Sequence, residues 1–315
     1  MADILFIKTS SLGDVIHHMP ALTEAHRQRR DARFHWVVEE AFAPLVRLHP
    51  AVGEVIPVAM RRWRKSLWSP RTLRDLAGSF GGLRARRYDL IVDTQGLVRS
   101  AALARTAKGP RHGYDMRSIR EKLASVFYDV RHTVSRDLHA VERNRRLTAA
   151  ALGYTVDGPP HYGLERARLR GQGERTVVLL HATARPEKQW PEDNWITLGR
   201  MLGGYGLLPV LPWGTQTERV LSERIAGSLA RAHIPKRQPL DAVARLIASA
   251  DLVIGVDTGL LHLAAALNVP LVAIFAGSRP RLTAPVGSGP MRVLGQLGAA
   301  PSVDEVEAAV EDLLR

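Results

Sequence analysis

Residues 251–277, DLVIGVDTGLLHLAAALNVPLVAIFAG, leave the chain little choice of fold. Residues 252–256 form a short run, rich in β-branched side chains, of the kind buried on both faces of a parallel sheet. Residues 260–267 read as an apolar, alanine-rich helix closed by Asn268 and Pro270, and a second apolar run follows. Strand, turn, helix and strand in this order predict a parallel crossover unit. The turn, Asp257-Thr258-Gly259, falls at the carboxyl end of the first strand, where open α/β sheets bind ligands and a helix offers unpaired N–H groups to phosphate. Asp257 and Thr258 serve equally well as helix caps, the commonest use of such residues. His262 lies one helical turn beyond Thr258 on the same face, although a lone helix histidine is more often structural.

A second unit of this kind opens the chain. DILFIK (3–8) reads as a strand, Thr9-Ser10-Ser11-Leu12-Gly13-Asp14 as a loop, and the stretch from Val15 to Arg30 as an amphipathic helix. Two hydroxyls, a flexible glycine and the Asp14 carboxylate thus gather at a strand end, with helix capping the plain alternative for Asp14. His17 and His18 are expected in packing or at the surface. Further strands are predicted at 33–38, 53–59 and 88–94, with helices around 41–50, 71–86 and 140–153. Arg61, Arg62, Arg64 and Lys65 surround Trp63, with Trp68 nearby. Such a run is commonly a solvated face, but tryptophan beside arginine also suits a sugar or lipid interface.

Residues 154–173 are rich in Gly, Pro and Arg and carry no period, so the expected organisation is a first domain at 1–156, a linker at 157–173 and a second domain at 174–315. In the second part strands are predicted at 176–184 and 207–214 and around Ile234, with helices from Glu192, from Thr217 and at 239–249. A Ser302-to-Glu305 capping box starts the last helix, which is left free to pack on the first domain. The fold class is α/β, two doubly wound domains facing a cleft that brings Asp14 and the serine pair opposite Thr183, Lys188 and Asp257-Thr258-Gly259.

The absence of cysteine removes disulfide and thiol chemistry and fits a reducing compartment. No stretch has the 18 or so apolar residues of a membrane span and the first residues do not resemble a signal peptide, so a cytoplasmic protein is expected. Of the net charge of +13, residues 1–156 hold 27 Lys and Arg against 15 Asp and Glu, whereas 157–315 are nearly balanced. The basic half attracts nucleic acid, an anionic membrane or an anionic substrate. With 6% aromatic residues and no RNP-like or KH-like loop, nucleic-acid binding is the weakest of the three.

Several chemistries lack their motifs: there is no GxxxxGK[ST], CxxC, HExxH or GxSxG, and no GxGxxG after a strand. GGYG at 203–206 ends a helix instead of opening one. No Asp-x-Asp triplet is present to hold a divalent ion on a diphosphate. Lys188, hydroxyls and helix amino-termini are left to meet that charge, which suits a metal-independent nucleotide-sugar transferase without a cofactor.

KTSSLGDVIHHMPAL, RRWRK, SIREKLASVFYD, LLHATARPEKQWPEDNW, LPWGTQTE and DTGLLHLAAAL together resemble the motifs of the lipopolysaccharide heptosyltransferase I family, in order and along nearly the whole chain. The resemblance implies the GT-B fold and inverting transfer of heptose from ADP-heptose to a Kdo sugar on lipid A. It implies Asp14 as general base and Lys188 as a contact to the donor diphosphate or sugar. Asp257 is implied on the heptose hydroxyls, and Ser10, Ser11, Thr183, Thr258 and Gly259 along the phosphates, with Gly13 and His262 counted in the donor site. Trp213 and Glu218 are implied near adenine and ribose, and Arg61, Arg64 and Arg120 around the acidic acceptor. Peripheral association with the inner face of the cytoplasmic membrane follows from the basic half. A later heptosyltransferase, a sugar epimerase or, more remotely, a basic binding protein are the alternatives.

Overall fold

A computed structural model describes residues 1–315 apart from 67–68, 184 and 278–279 and the side chains of Arg71, Leu73, Pro280 and Arg281. Trp68, half of the expected tryptophan pair, is therefore outside the described residues. The chain divides into two compact units, Met1–Gly163 and Leu164–Arg315. Each is built on a wholly parallel sheet, as continuous apolar strands alternating with helices require.

The first sheet has the order β3-β2-β1-β4-β5-β6, with β1 Ala2–Ile7, β2 Ala32–Glu39, β3 Val52–Val58, β4 Leu90–Asp93, β5 Arg111–Tyr114 and β6 Val130–His132. β1 occupies the interior because Ile4 and Phe6 on one face and Leu5 and Ile7 on the other are all buried. Its neighbours are β2 and β4, with Ile4 opposite both Phe34 and Leu90. One face packs on helix Leu12–Gln28 and helix Ala140–Leu152. These two helices are riveted by Arg145, whose Nε lies 3.0 Å from Glu24 Oε2, with both side chains buried. The chain leaving the second helix is held by the same pair, since Arg145 donates to the carbonyls of Asp157 and Gly158 and Glu24 accepts from Asp157 N.

The second sheet has the order β11-β10-β9-β7-β8, with β7 Thr176–Leu180, β8 Leu208–Val210, β9 Leu252–Val256, β10 Leu271–Phe275 and β11 Met291–Gly295. β9 and β10 are buried along their full length. A glycine interrupts β9 because a Cβ at Gly255 would stand 2.6 Å from that of Leu180 on β7. Helix Glu192–Gly204 ends at the GGYG stretch, with Gly206 at φ +71°.

β5, β6 and β11 are absent from the sequence reading. β5 and β6 are short and mostly polar, and the residues of β11, at the sheet edge, are exposed or half-buried without a regular alternation. Ile234 does not lie in a strand; only the adjacent His233 makes a single bridge, to Val210. The terminal helix, Val303–Leu314, begins with the expected Ser302–Glu305 box and packs on the second sheet and on helix Glu192–Gly204. Val306, Ala309 and Val310 share a core there with Trp195, Leu198 and Val272, so its apolar stripe is spent within its own unit. Among the described residues no helix is long and apolar enough to cross a membrane.

Candidate active site

In the first unit the site residues gather at the carboxyl ends of β1 and β4. Asp14 occupies the first turn of helix Leu12–Gln28, where its Oδ2 accepts from the Ser11 backbone N–H at 2.8 Å and from Ser11 Oγ at 3.0 Å. Asp14 thus fastens the helix start while remaining half-buried, and Gly13 precedes it in the same turn. The loop before it is held from β4: Gln95 Oε1 accepts the N–H groups of both Thr9 and Ser10, each at 3.1 Å. Arg99 donates to Ser10 Oγ at 3.2 Å.

Beneath this loop lies a buried polar network that the sequence reading did not single out. Lys8, just past β1, donates from Nζ to the Thr94 carbonyl at 2.9 Å and to Asn144 Oδ1 at 3.4 Å. Burial pushes its ammonium below the ordinary value, while the Asp14 and Asp93 carboxylates pull the other way. Asp93, at the end of β4, is fully buried and accepts from Tyr128 OH, Ser100 Oγ and the Gln95 and Gly96 N–H groups. Burial raises its pKa against those hydrogen bonds. The available signal was the parallel between Asp93-Thr94-Gln95-Gly96 after β4 and Asp257-Thr258-Gly259 after β9.

A cleft of about 570 Å³ opens beside Ser10, with Arg61, Arg64, Lys65 and Arg99 along it and Trp63 and Phe80 in its wall. Glu39 anchors the rim by accepting the Arg61 N–H at 3.1 Å, and the Arg61 guanidinium lies 5.3 Å from the centre of the Phe42 ring. Four cations over an apolar wall suit an amphiphilic anion. Arg120 is not among the residues lining this cleft; it is exposed on the loop after β5.

In the second unit the residues fall into two groups. Lys188, at the end of the short turn Pro186–Lys188, places Nζ 2.5 Å from Asp257 Oδ2, and His262 Nε2 stands 4.0 Å from Oδ1. Thr258 is the N-cap residue of helix Gly259–Ala266, and Gly259 is its first residue. The Lys188 turn can settle here because Gly277 has no side chain: a Cβ there would lie 2.1 Å from the Glu187 carbonyl oxygen. The second group surrounds a cavity of about 900 Å³ that includes Thr183, His181, Trp190, Thr215, Glu218 and Arg224. This volume is within the range of small-ligand sites. Glu218 does double duty, since its Oε2 accepts from the N–H groups of Gly214 and Thr215 and so caps helix Gln216–Gly227. Trp213 is not among the residues lining the cavity; its Nε1 donates to the Pro235 carbonyl at 2.8 Å and Arg219 lies over its ring.

Comparisons with known proteins agree with these arrangements. The family model "Glycosyltransferase family 9 (heptosyltransferase)" matches residues 79–311. Lipopolysaccharide heptosyltransferase 1 of Pseudomonas aeruginosa is 43% identical over 306 residues, 95% of this chain and 85% of that protein. The structure of E. coli heptosyltransferase WaaC with ADP is similar at a TM-score of 0.93 and 38% identity, covering 99% of both chains. The same enzyme with ADP-2-deoxy-2-fluoro heptose gives 0.89 and 38%, covering 98% of this chain and 99% of that one. Two parallel-sheet α/β units of the GT-B kind and a match of this extent lead to one conclusion: the chain belongs to glycosyltransferase family 9, the heptosyltransferases.

Proposed function

We propose that this heptosyltransferase moves heptose from ADP-heptose to a Kdo sugar of the lipopolysaccharide inner core, with inversion at the anomeric carbon. The observation that carries the acceptor reading is the cleft in which Arg61, Arg64, Lys65 and Arg99 gather around Ser10, close to the loop bearing Asp14. A Kdo-lipid A head group carries carboxylate and phosphate, and guanidinium is the side chain best matched to both. Arg120 extends the positive field outside the cleft. For the donor, the cavity beside Thr183 and Glu218 has room for a nucleoside, and the Lys188–Asp257 pair next to helix Gly259–Ala266 supplies groups for diphosphate and sugar hydroxyls.

In the reaction an acceptor hydroxyl forms the new C–O bond to the anomeric carbon while the bond from that carbon to the ADP oxygen breaks on the opposite face. Asp14 takes the hydroxyl proton, and ADP leaves with the electron pair. Lys188, Thr258 and the N–H groups opening helix Gly259–Ala266 meet the charge on the departing diphosphate without a divalent ion or cofactor. The enzyme works at the inner face of the cytoplasmic membrane, drawn there by its basic first half.

The test is incubation with ADP-heptose and Kdo-lipid A, with and without EDTA, followed by mass spectrometry of the lipid. One added heptose, unaffected by EDTA, is the expected product. No added mass, or addition only to a core that already carries heptose, refutes the acceptor assignment, and loss of activity in EDTA refutes metal independence.

A further inference from the structure

Exposed apolar side chains in the first unit are concentrated in one place. Of the large hydrophobics that stand out of the surface among the described residues, Met116, Leu123, Val126 and Val130 fall within one short stretch of chain, Leu123 being 72% and Val126 60% exposed. Leu123 and Val126 are three apart in the 3₁₀ helix Lys122–Phe127, where residues at that spacing eclipse, so they form one outward row. The helix itself is seated firmly: Ala124 and Ser125 are buried, and Arg131 Nε donates to the Ser125 carbonyl at 2.9 Å, tying the β6 edge and Val130 to it.

The surroundings of this row are cationic. Arg117, Arg120, Lys122 and Arg131 are exposed along the stretch, and its two acids are already engaged. Glu121 Oε2 accepts the Val98 N–H at 2.7 Å, and the Asp129 oxygens take the Arg111 guanidinium at 2.9 and 2.7 Å. Moreover, the row shares a sheet edge with the cleft, because Glu121 N donates to the Gly96 carbonyl and Arg99, one residue beyond Val98, reaches Ser10.

We propose that Leu123 and Val126, in a stretch that also exposes Met116, Val130, Arg117, Lys122 and Arg131, form a docking surface for an anionic phospholipid bilayer. The apolar row enters the acyl boundary and the cations meet lipid phosphates. This rests on the acceptor being lipid-borne, and it identifies the exposed 3₁₀ row, instead of the Trp63 cluster, as the part that enters the membrane. Trp63 is buried in the wall of the cleft and does not stand out of the surface to meet a bilayer.

The test is co-sedimentation of the full chain at low salt with vesicles of phosphatidylcholine, alone or with a quarter phosphatidylglycerol. The unmodified protein is expected to bind the anionic vesicles, and Leu123→Ser/Val126→Ser to bind them about tenfold or more weakly, with an unchanged melting temperature. Lys122→Gln, at an exposed position, should weaken binding only to the anionic vesicles. Turnover of a vesicle-embedded acceptor should fall in the double variant, while turnover of a deacylated, soluble acceptor should not. Equal vesicle binding by the double variant overturns the proposal. So does a change from dimer to monomer on light scattering with vesicle binding intact, which would make the row a contact between copies. Failure of the unmodified protein to transfer heptose to either acceptor refutes the proposed reaction but leaves the vesicle result to stand or fall independently.

Discussion

Lys188 Nζ lies 2.5 Å from Asp257 Oδ2 across 69 residues of sequence, joining the EKQW turn to the Asp-Thr-Gly turn within the second unit. Removing the ammonium takes away a charge-assisted partner and leaves Asp257, 9% exposed, to repel an incoming diphosphate. Lys188→Ala is expected to weaken ADP binding by about 10- to 100-fold, the worth of one hydrogen bond to a charged group, and to lower kcat/KM at least as much. Calorimetric titration with ADP checks the first effect and initial rates the second. Unchanged ADP affinity would restrict Lys188 to holding Asp257 in place.

Asp14 fastens the start of its helix through Ser11 and is also the proposed base, and asparagine separates the two roles. Its amide oxygen can accept the Ser11 N–H but cannot take a proton. Asp14→Asn is expected to keep the melting temperature within a few degrees and to lower single-turnover rate by about 10²- to 10⁴-fold. A fully active Asp14→Asn enzyme transfers the base assignment to another carboxylate.

His49 is held at a pKa of about 4 by burial, against an ordinary value of 6.5. Its Nδ1 accepts the Ala51 N–H, so the neutral ring carries its proton on Nε2, 2.9 Å from Thr23 Oγ1. Because the folded-state value lies below the unfolded one, the unfolded chain takes up the proton first as pH falls. Stability is therefore undiminished above pH 6.5 and declines between 6.5 and 4, by about 3 kcal/mol from this group. His18, pushed down in the same sense by burial, adds to the same slope. Urea unfolding at pH 7 and pH 5 should show the loss, and His49→Gln should flatten the profile.

Arg145→Ala leaves the buried Glu24 carboxylate with only the more distant guanidinium of Arg27, 4.0 Å away, and frees the 157–158 carbonyls. A loss of about 3–5 kcal/mol is expected in denaturant unfolding of the first unit. Replacing both Arg145 and Glu24 by apolar residues of similar volume should recover much of it, whereas a double variant as unstable as the single one would mean that the carbonyl contacts dominate.

What could be read from the chain alone follows from burial. β1, β2, β9 and β10 are apolar along most of their length because helices cover both faces, and such runs declare themselves. β5, β6 and β11 hold their places through backbone pairing at short or outer strands, and side chains such as Arg111, His112 and Arg292 carry no period to detect. The terminal helix was visible from its capping box, but the surface that receives its apolar stripe is a tertiary property.

The same holds at the candidate site. Asp14, Asp257 and the Ser10–Ser11 pair could be nominated from the chain because they follow strand ends, where open sheets place ligands. Lys188 and Asp257 could be nominated singly, but not their contact. Lys8 escaped because a lysine at a strand end normally reads as solvated; the parallel with Asp257-Thr258-Gly259 could have nominated Asp93, but the burial of the two together shows only in the packing of Tyr128, Ser100 and Asn144 around them. Glu218 was nominated for its motif, and its capping of helix Gln216–Gly227 was concealed by that.

β1 has a further consequence, for how the chain acquires its shape. It pairs with β2 after a single crossover, but its other edge waits for β4, 86 residues further along. Until Leu90–Asp93 arrives, that edge offers unpaired N–H and C=O groups between four apolar side chains, a template for any other extended segment. Closing so long a loop is slow relative to forming local helices, so refolding of the first unit should be rate-limited by this pairing and prone to aggregation as concentration rises. A dilute, cool refolding step, and a recombinant host growing slowly, should raise the soluble yield for this reason alone.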